Sequence, residues 1–206
     1  TERDHATVEE FERDLERNVS ALKRANPSHA SLFNAMQTVL VNVVDREDTV
    51  AEAKSLLEDV IDRVVEDVQQ GKSRAAQNAV SIFEDGETFL THDFSSTVLE
   101  AVETAAADGN NLTAYVTESR PRYLGRKAAR RLAEIDRVDT HLMVDGAAGT
   151  FLEDCDRVVV GMDCIVEDTL YNRAGTYPIV ATANHLDVPV TVVGSAAKIV
   201  DDGFVF

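Results

Sequence analysis

The chain has 206 residues, 44% of them hydrophobic, which suffices for one compact domain or for two abutting subdomains with a sizeable core. Its formal net charge of −17 argues against nucleic acid or an anionic membrane as a direct partner. The 37 acidic residues are spread along the chain and only 5 of the 20 basic ones are lysines. That is the solvated surface expected of a halophile, whose salt screens the self-repulsion, or simply of an acidic cytosolic protein.

Residues 5 to 82 read as helical. Val8, Phe11, Leu15, Val19 and Leu22 step by three and four, one apolar stripe with charge opposite. Asn26-Pro27-Ser28 breaks that helix and starts another through Leu32, Met36, Val39, Leu40 and Val43. A third pattern runs from Val50 to Val68, and Gly71-Lys72-Ser73 predicts a break before a short helix to Phe83. From Glu87 the pattern changes. Strands are predicted at Thr88–Leu90, Leu112–Thr117, Thr140–Val144, Arg157–Val160 and Val190–Val193. Helices are predicted between them at Ser96–Ala107, Gly125–Glu134, Ala147–Glu153 and Gly175–Leu186. The expected fold is α/β: a helical N-terminal subdomain (1–85), then a Rossmann-like parallel sheet with helices on both faces (86–206), divided at Asp85-Gly86.

Right-handed crossovers bring the strand C-termini to one edge, where such sheets place ligands. Asp163 follows an apolar strand, as a buried acid/base or as a turn and helix cap. Asn172 and Arg173 precede a helix start, where free N–H groups and a guanidinium suit a phosphate; an exposed cap is the plainer role. Thr91, His92, Ser95 and Ser96 form a hydroxyl-rich loop entering a helix, either a phosphate cradle or a helix cap. Arg120 lies past the second strand, as a further cation oriented by Glu118 or as a surface residue bonding the Pro121 loop. No HExxH or Cys/His spacing points to a metal, and no GxGxxG or GxxxxGK[ST] points to a nucleotide cofactor, so none is expected. Cys155 and Cys164 form no disulfide framework, no leader is visible, and no apolar run reaches the ~18–20 residues of a span. A reduced, cytoplasmic setting is expected.

Five stretches carry a resemblance: Thr91-His92-Asp93-Phe94-Ser95-Ser96, Val116 to Pro121, Asp145-Gly146-Ala147-Ala148, Gly161-Met162-Asp163, and Asn172-Arg173-Ala174-Gly175-Thr176. In this order and spacing they resemble the initiation factor two B alpha/beta/delta family. That family includes the methylthioribose-1-phosphate and ribose-1,5-bisphosphate isomerases, and the acidic composition suggests a halophilic archaeal member. The resemblance implies a ligand-facing lysine at Lys198, a homodimer or higher homo-oligomer, and contact with initiation factor two. It also implies Asp163 as the isomerases' essential aspartate.

Two departures stand out. Asp93 occupies the position of the isomerases' catalytic cysteine, and the helical part lacks their Arg-Gly-Ala phosphate motif. Two functions therefore stand side by side. One is a regulatory or scaffold subunit that retains a sugar-phosphate or nucleotide-phosphate pocket. The other is an aldose–ketose isomerase of the ribose 1,5-bisphosphate type. There Asp163 shuttles a proton between sugar oxygens and Asp93 handles the carbon-bound one. Repulsion between two carboxylates sharing a pocket would keep one of them protonated.

Overall fold

The computed structural model describes residues 4–200. Three helices come first: α1 (Val8–Ala25), α2 (Ala30–Val43) and α3 (Val50–Val80). The Thr7 hydroxyl caps α1 by accepting the Glu10 N–H, and Asn26 ends it, as the Asn-Pro-Ser break implies. The predicted interruption at Gly71 is absent, because α3 runs unbroken through it. One glycine costs a helix only about 1 kcal/mol, too little to stop a helix of this length.

The remainder alternates: β1 (Thr88–His92), α4 (Ser96–Ala107), β2 (Leu112–Thr117), α5 (Leu124–Leu132), β3 (Val138–Met143), α6 (Ala148–Phe151), β4 (Arg157–Val160), β5 (Cys164–Val166), β6 (Thr169–Tyr171), α7 (Thr176–His185), β7 (Val190–Val192) and β8 (Ile199–Val200). The helix expected over Ala147–Glu153 is instead a short α6 flanked by 3₁₀ turns, with Gly146 and Gly149 weakening it. The short strands β5, β6 and β8 lie outside the sequence expectation, being too brief for periodicity to register.

Two compact units emerge. One holds the described residues up to Gly71, with Cys164–Thr169 and the described residues from Ala196 on; the other holds Lys72–Asp163 and Leu170–Ser195. In the first, Phe11, Val39, Val43, Leu57 and Val60 form a helical core, and β5 pairs in parallel with β8. Ala30, Cys164 and Val200 pack together there, and the Asn34 side-chain amide donates to the carbonyls of Ala197 and Ile199.

The second unit is built on a five-stranded sheet of order β3-β2-β1-β4-β7, parallel throughout. Its two faces are covered by different cores. Phe83, Phe89, Val98, Val102, Val116 and Leu132 fill one side, and Leu90, Leu152, Val158, Val160 and Ile179 fill the other. Hence the continuous apolar run at Val158-Val159-Val160: strands covered on both faces cannot alternate. The chain winds outward from β1 to β2 and β3, then crosses back to β4 and β7. The direction reverses between β1 and β4, which opens a crevice at their C-terminal ends.

Candidate functional site

Asp93 leaves the end of β1 and Asp163 follows the end of β4, so the reversal of strand order puts both carboxylates at one crevice. Arg173, in the turn before α7, joins them. Its Nε lies 3.0 Å from Asp93 Oδ2 and its Nη2 lies 3.2 Å from Asp163 Oδ1. A guanidinium offers N–H donors in a planar fork, so a single side chain serves both acids. The expected crowding of two bare carboxylates is thus met by a cation within bonding range of each. The burial is graded: the Asp93 side chain is 8% exposed, Asp163 32% and Arg173 41%. Solvent therefore reaches the arginine side of the cluster, where a ligand would compete for it.

The backbone fixes these side chains. Asp93 has φ 66°, a left-handed conformation that aspartate tolerates better than most residues. Its N–H donates to Ser119 Oγ at 2.7 Å. Asp163 N–H donates to the Tyr171 carbonyl at 3.1 Å, and Thr176 N–H donates to the Arg173 carbonyl. Asn172 Nδ2 donates to Thr176 Oγ1 at 3.2 Å and so braces the first turn of α7. Gly175, with φ 105°, precedes that helix.

The other predicted residues divide. Ser95 is the N-cap of α4, its hydroxyl accepting the Val98 N–H. A Cβ at position 161 would lie 2.6 Å from Ser95 Oγ, so the glycine admits α4 against the end of β4. Ser96 is the first, exposed residue of α4. Thr91 and His92 belong to β1 and are buried, not part of a loop. Arg120 is exposed; its backbone N–H donates to Asp145 Oδ2, and its guanidinium lies 5.6 Å from the Tyr123 ring centroid. Glu118 does not orient it. The Glu118 carboxylate accepts from Arg126 Nε and Nη2 at 3.1 and 2.5 Å, because α5 carries Arg126 back over the strand end. Lys198 lies in the first compact unit, in a 3₁₀ turn before β8, whereas the other predicted residues all lie in the second.

Residues not singled out by their sequence build the frame. Asp145 accepts the N–H groups of both Ser119 and Arg120 at 2.7 Å, one carboxylate holding the whole β2 exit. The signal was present in Asp145-Gly146-Ala147-Ala148, but nothing in a sequence separates a carboxylate that holds backbone from one that meets a ligand. Gly125 permits α5 to sit on the β2 end, since a Cβ there would lie 1.8 Å from the Thr117 carbonyl oxygen. Among the described residues no cluster of His, Cys, Asp and Glu is arranged to hold a metal ion, and no helix is long and apolar enough to cross a membrane.

Fold and site define a Rossmann-like α/β protein with an acid–arginine–acid cluster at its topological switch point. The chain belongs to the initiation factor 2 subunit family, whose model matches residues 1–203. It is 35% identical over 193 residues to a ribose 1,5-bisphosphate isomerase of Haloterrigena turkmenica, covering 93% of this chain and 58% of that one. It is 31% identical over 193 residues to an eIF-2B subunit 2-like protein of Pyrococcus furiosus, covering 91% of this chain and 66% of that one. Among solved structures, the Pyrococcus horikoshii translation initiation factor eIF-2B superposes with a TM-score of 0.80 at 26% identity, over 91% of this chain and 65% of the other. The chain thus spans about three fifths of the length of the isomerase it matches.

Proposed function

We propose that the chain carries the sugar-phosphate site of an aldose–ketose isomerase of the ribose 1,5-bisphosphate type. The observation that carries this reading is the pairing of Asp93 and Asp163 through Arg173 at the switch point. Isomerisation of ribose 1,5-bisphosphate moves one hydrogen from C2 to C1 as the ring C1–O4 bond breaks, and the C2 hydroxyl proton ends on O4; the C1 oxygen keeps its phosphate throughout. No external oxidant or reductant takes part. Asp163 takes the C2 hydroxyl proton and delivers it to the departing ring oxygen O4; Asp93 takes the carbon-bound proton and delivers it to C1. Arg173 turns from the acids to the phosphate or the developing oxyanion, with Asn172 and the first turns of α4 and α7 beside it. Arg120 is a further phosphate ligand in this reading. The acidic, lysine-poor surface and the Haloterrigena relative both favour work at high salt.

A second reading is favoured by one observation. By the resemblance, Asp93 stands where the isomerases carry a cysteine, and a carboxylate is a weaker base than a thiolate for a carbon-bound proton. In that reading the chain is a regulatory or scaffold subunit, assembled with copies of itself and with initiation factor two, that senses a sugar phosphate or nucleotide at the same crevice.

The two separate in an assay of the purified protein in multimolar KCl with ribose 1,5-bisphosphate, following ketose formation. Turnover lost in both Asp163→Asn and Asp93→Ala is the expected result. Binding without turnover transfers the site to the sensor reading, and neither binding nor turnover removes the sugar phosphate from both.

A further inference from the structure

The cluster has a buried hub that the proposed chemistry does not use. His92, at the end of β1, is 1% exposed, yet both of its ring nitrogens are engaged. Nε2 lies 2.8 Å from the Ala174 carbonyl oxygen, and Nδ1 lies 2.6 Å from Thr117 Oγ1 on β2. A carbonyl only accepts, so Nε2 carries the hydrogen; Nδ1 of the neutral ring then accepts from the Thr117 hydroxyl. Ser119 Oγ sits 3.3 Å from the same Nδ1 and takes the Asp93 N–H. The peptide next to Arg173 and the backbone of Asp93 are thus tied to one imidazole. Gly175 makes the approach possible. A Cβ there would lie 2.7 Å from His92 Cε1, and its φ of 105° disfavours any side chain.

We propose that His92 is the positioning residue of this site: its buried Nε2–H holds the Ala174 carbonyl, and through it sets Arg173 between Asp93 and Asp163. It is not a proton shuttle, because both nitrogens are committed to the scaffold and neither faces the crevice edge where Arg173 is exposed. A long, flexible arginine would otherwise sample many rotamers; fixing its backbone restricts the arc over which the fork reaches both acids.

The effect on ligand binding rests on the reading under Proposed function. The effect on Arg173 itself does not. Two substitutions separate the role from general packing. His92→Gln keeps an amide donor near the Nε2 position, whereas His92→Asn keeps polar atoms near Nδ1 and cannot reach Ala174. In the full chain at high salt, phenylglyoxal labelling of Arg173 is followed by peptide mass spectrometry, with exposed Arg130 as the internal standard. Labelling of Arg173 is expected to quicken about fivefold in His92→Asn, the equivalent of one ordinary hydrogen bond, and to stay near the parent rate in His92→Gln. Arg130 should not change. If His92→Asn does not fold, Gly175→Ala displaces the same loop and is expected to expose Arg173 equally. A ¹⁵N–¹H spectrum of the parent protein should report His92 as the Nε2–H tautomer.

An Nδ1–H tautomer, or Arg173 labelling at the parent rate in folded His92→Asn or Gly175→Ala, overturns the proposal. So does equal quickening in His92→Gln and His92→Asn, which marks a packing effect. Affinity for ribose 1,5-bisphosphate should fall about tenfold in His92→Asn and remain near the parent value in His92→Gln. A parent protein with no affinity for that ligand removes the isomerase reading but leaves the labelling result standing.

Discussion

Two exits from the same sheet spend similar residues differently. At the end of β2 the carboxylates have structural tasks. Asp145 holds two backbone N–H groups, Glu118 is gripped by Arg126, and the Arg126 guanidinium lies 4.2 Å from the Tyr123 ring centroid. At the mouth of β1 and β4 the charges meet one another instead, and the cation that links them is partly in solvent. A carboxylate that satisfies backbone N–H groups is scaffold; a cation shared by two carboxylates, as Arg173 is, can be taken by an anionic ligand. Polarity at a strand end does not tell these apart, but the identity of the partner does.

The sharpest way to test that contrast is to damage the β2 exit. Gly125→Ala drives a methyl group into the Thr117 carbonyl and should cost about 3 kcal/mol or more, seen as a large fall in the urea midpoint. Asp145→Ala should follow, at about 2–3 kcal/mol, because two N–H groups lose a charged acceptor.

Arg173→Ala belongs to the other region and should show the opposite profile. Sugar-phosphate affinity should fall by roughly 1.5–3 kcal/mol by calorimetry. Stability should change by less than about 1 kcal/mol, because solvent screens an exposed cation. A large loss of stability would make Arg173 scaffold and erase the contrast; unchanged affinity would remove it from the site.

Cys155 offers a finer check on the sheet face covered by α6 and α7. Burial, with Asp154 and Asp156 adding negative charge, pushes its thiol up to about 12. The unfolded thiol ionises near 8.5, so the thiol's contribution to stability is complete below that pH and declines as pH rises towards 12. Folded protein at pH 8 should resist iodoacetamide at Cys155 and react once unfolded. Smallest of all, Glu134→Gln, which loosens the exposed Arg131–Glu134 pair, should shift stability by about 0.5 kcal/mol or less.

Much of the frame was legible in advance. β2, β4 and α4 fall on their predicted bounds, because buried strands and a capped, alanine-rich helix carry strong local signals. The alternation of strand and helix identified the parallel sheet. Gly71 misled because a local breaker was weighed without the length of the helix around it. Glu118 was matched with Arg120, two residues along, while its partner Arg126 lies eight away on the next helix. The approach of Arg173 to both Asp93 and Asp163 had no sequence signature at all. It depends on strand order, which residue spacing does not contain.

The turn at residue 93 separates frame from chemistry. Its place is held by the left-handed backbone, which favours aspartate, asparagine and glycine, and by the N–H bond to Ser119, which any residue but proline can make. A descendant or an engineer can therefore exchange the reactive group there in a single replacement while the strand, the serine and the helix cap keep their places. The aspartate is thus a removable part, and Asp93→Cys would set a thiol on the same turn.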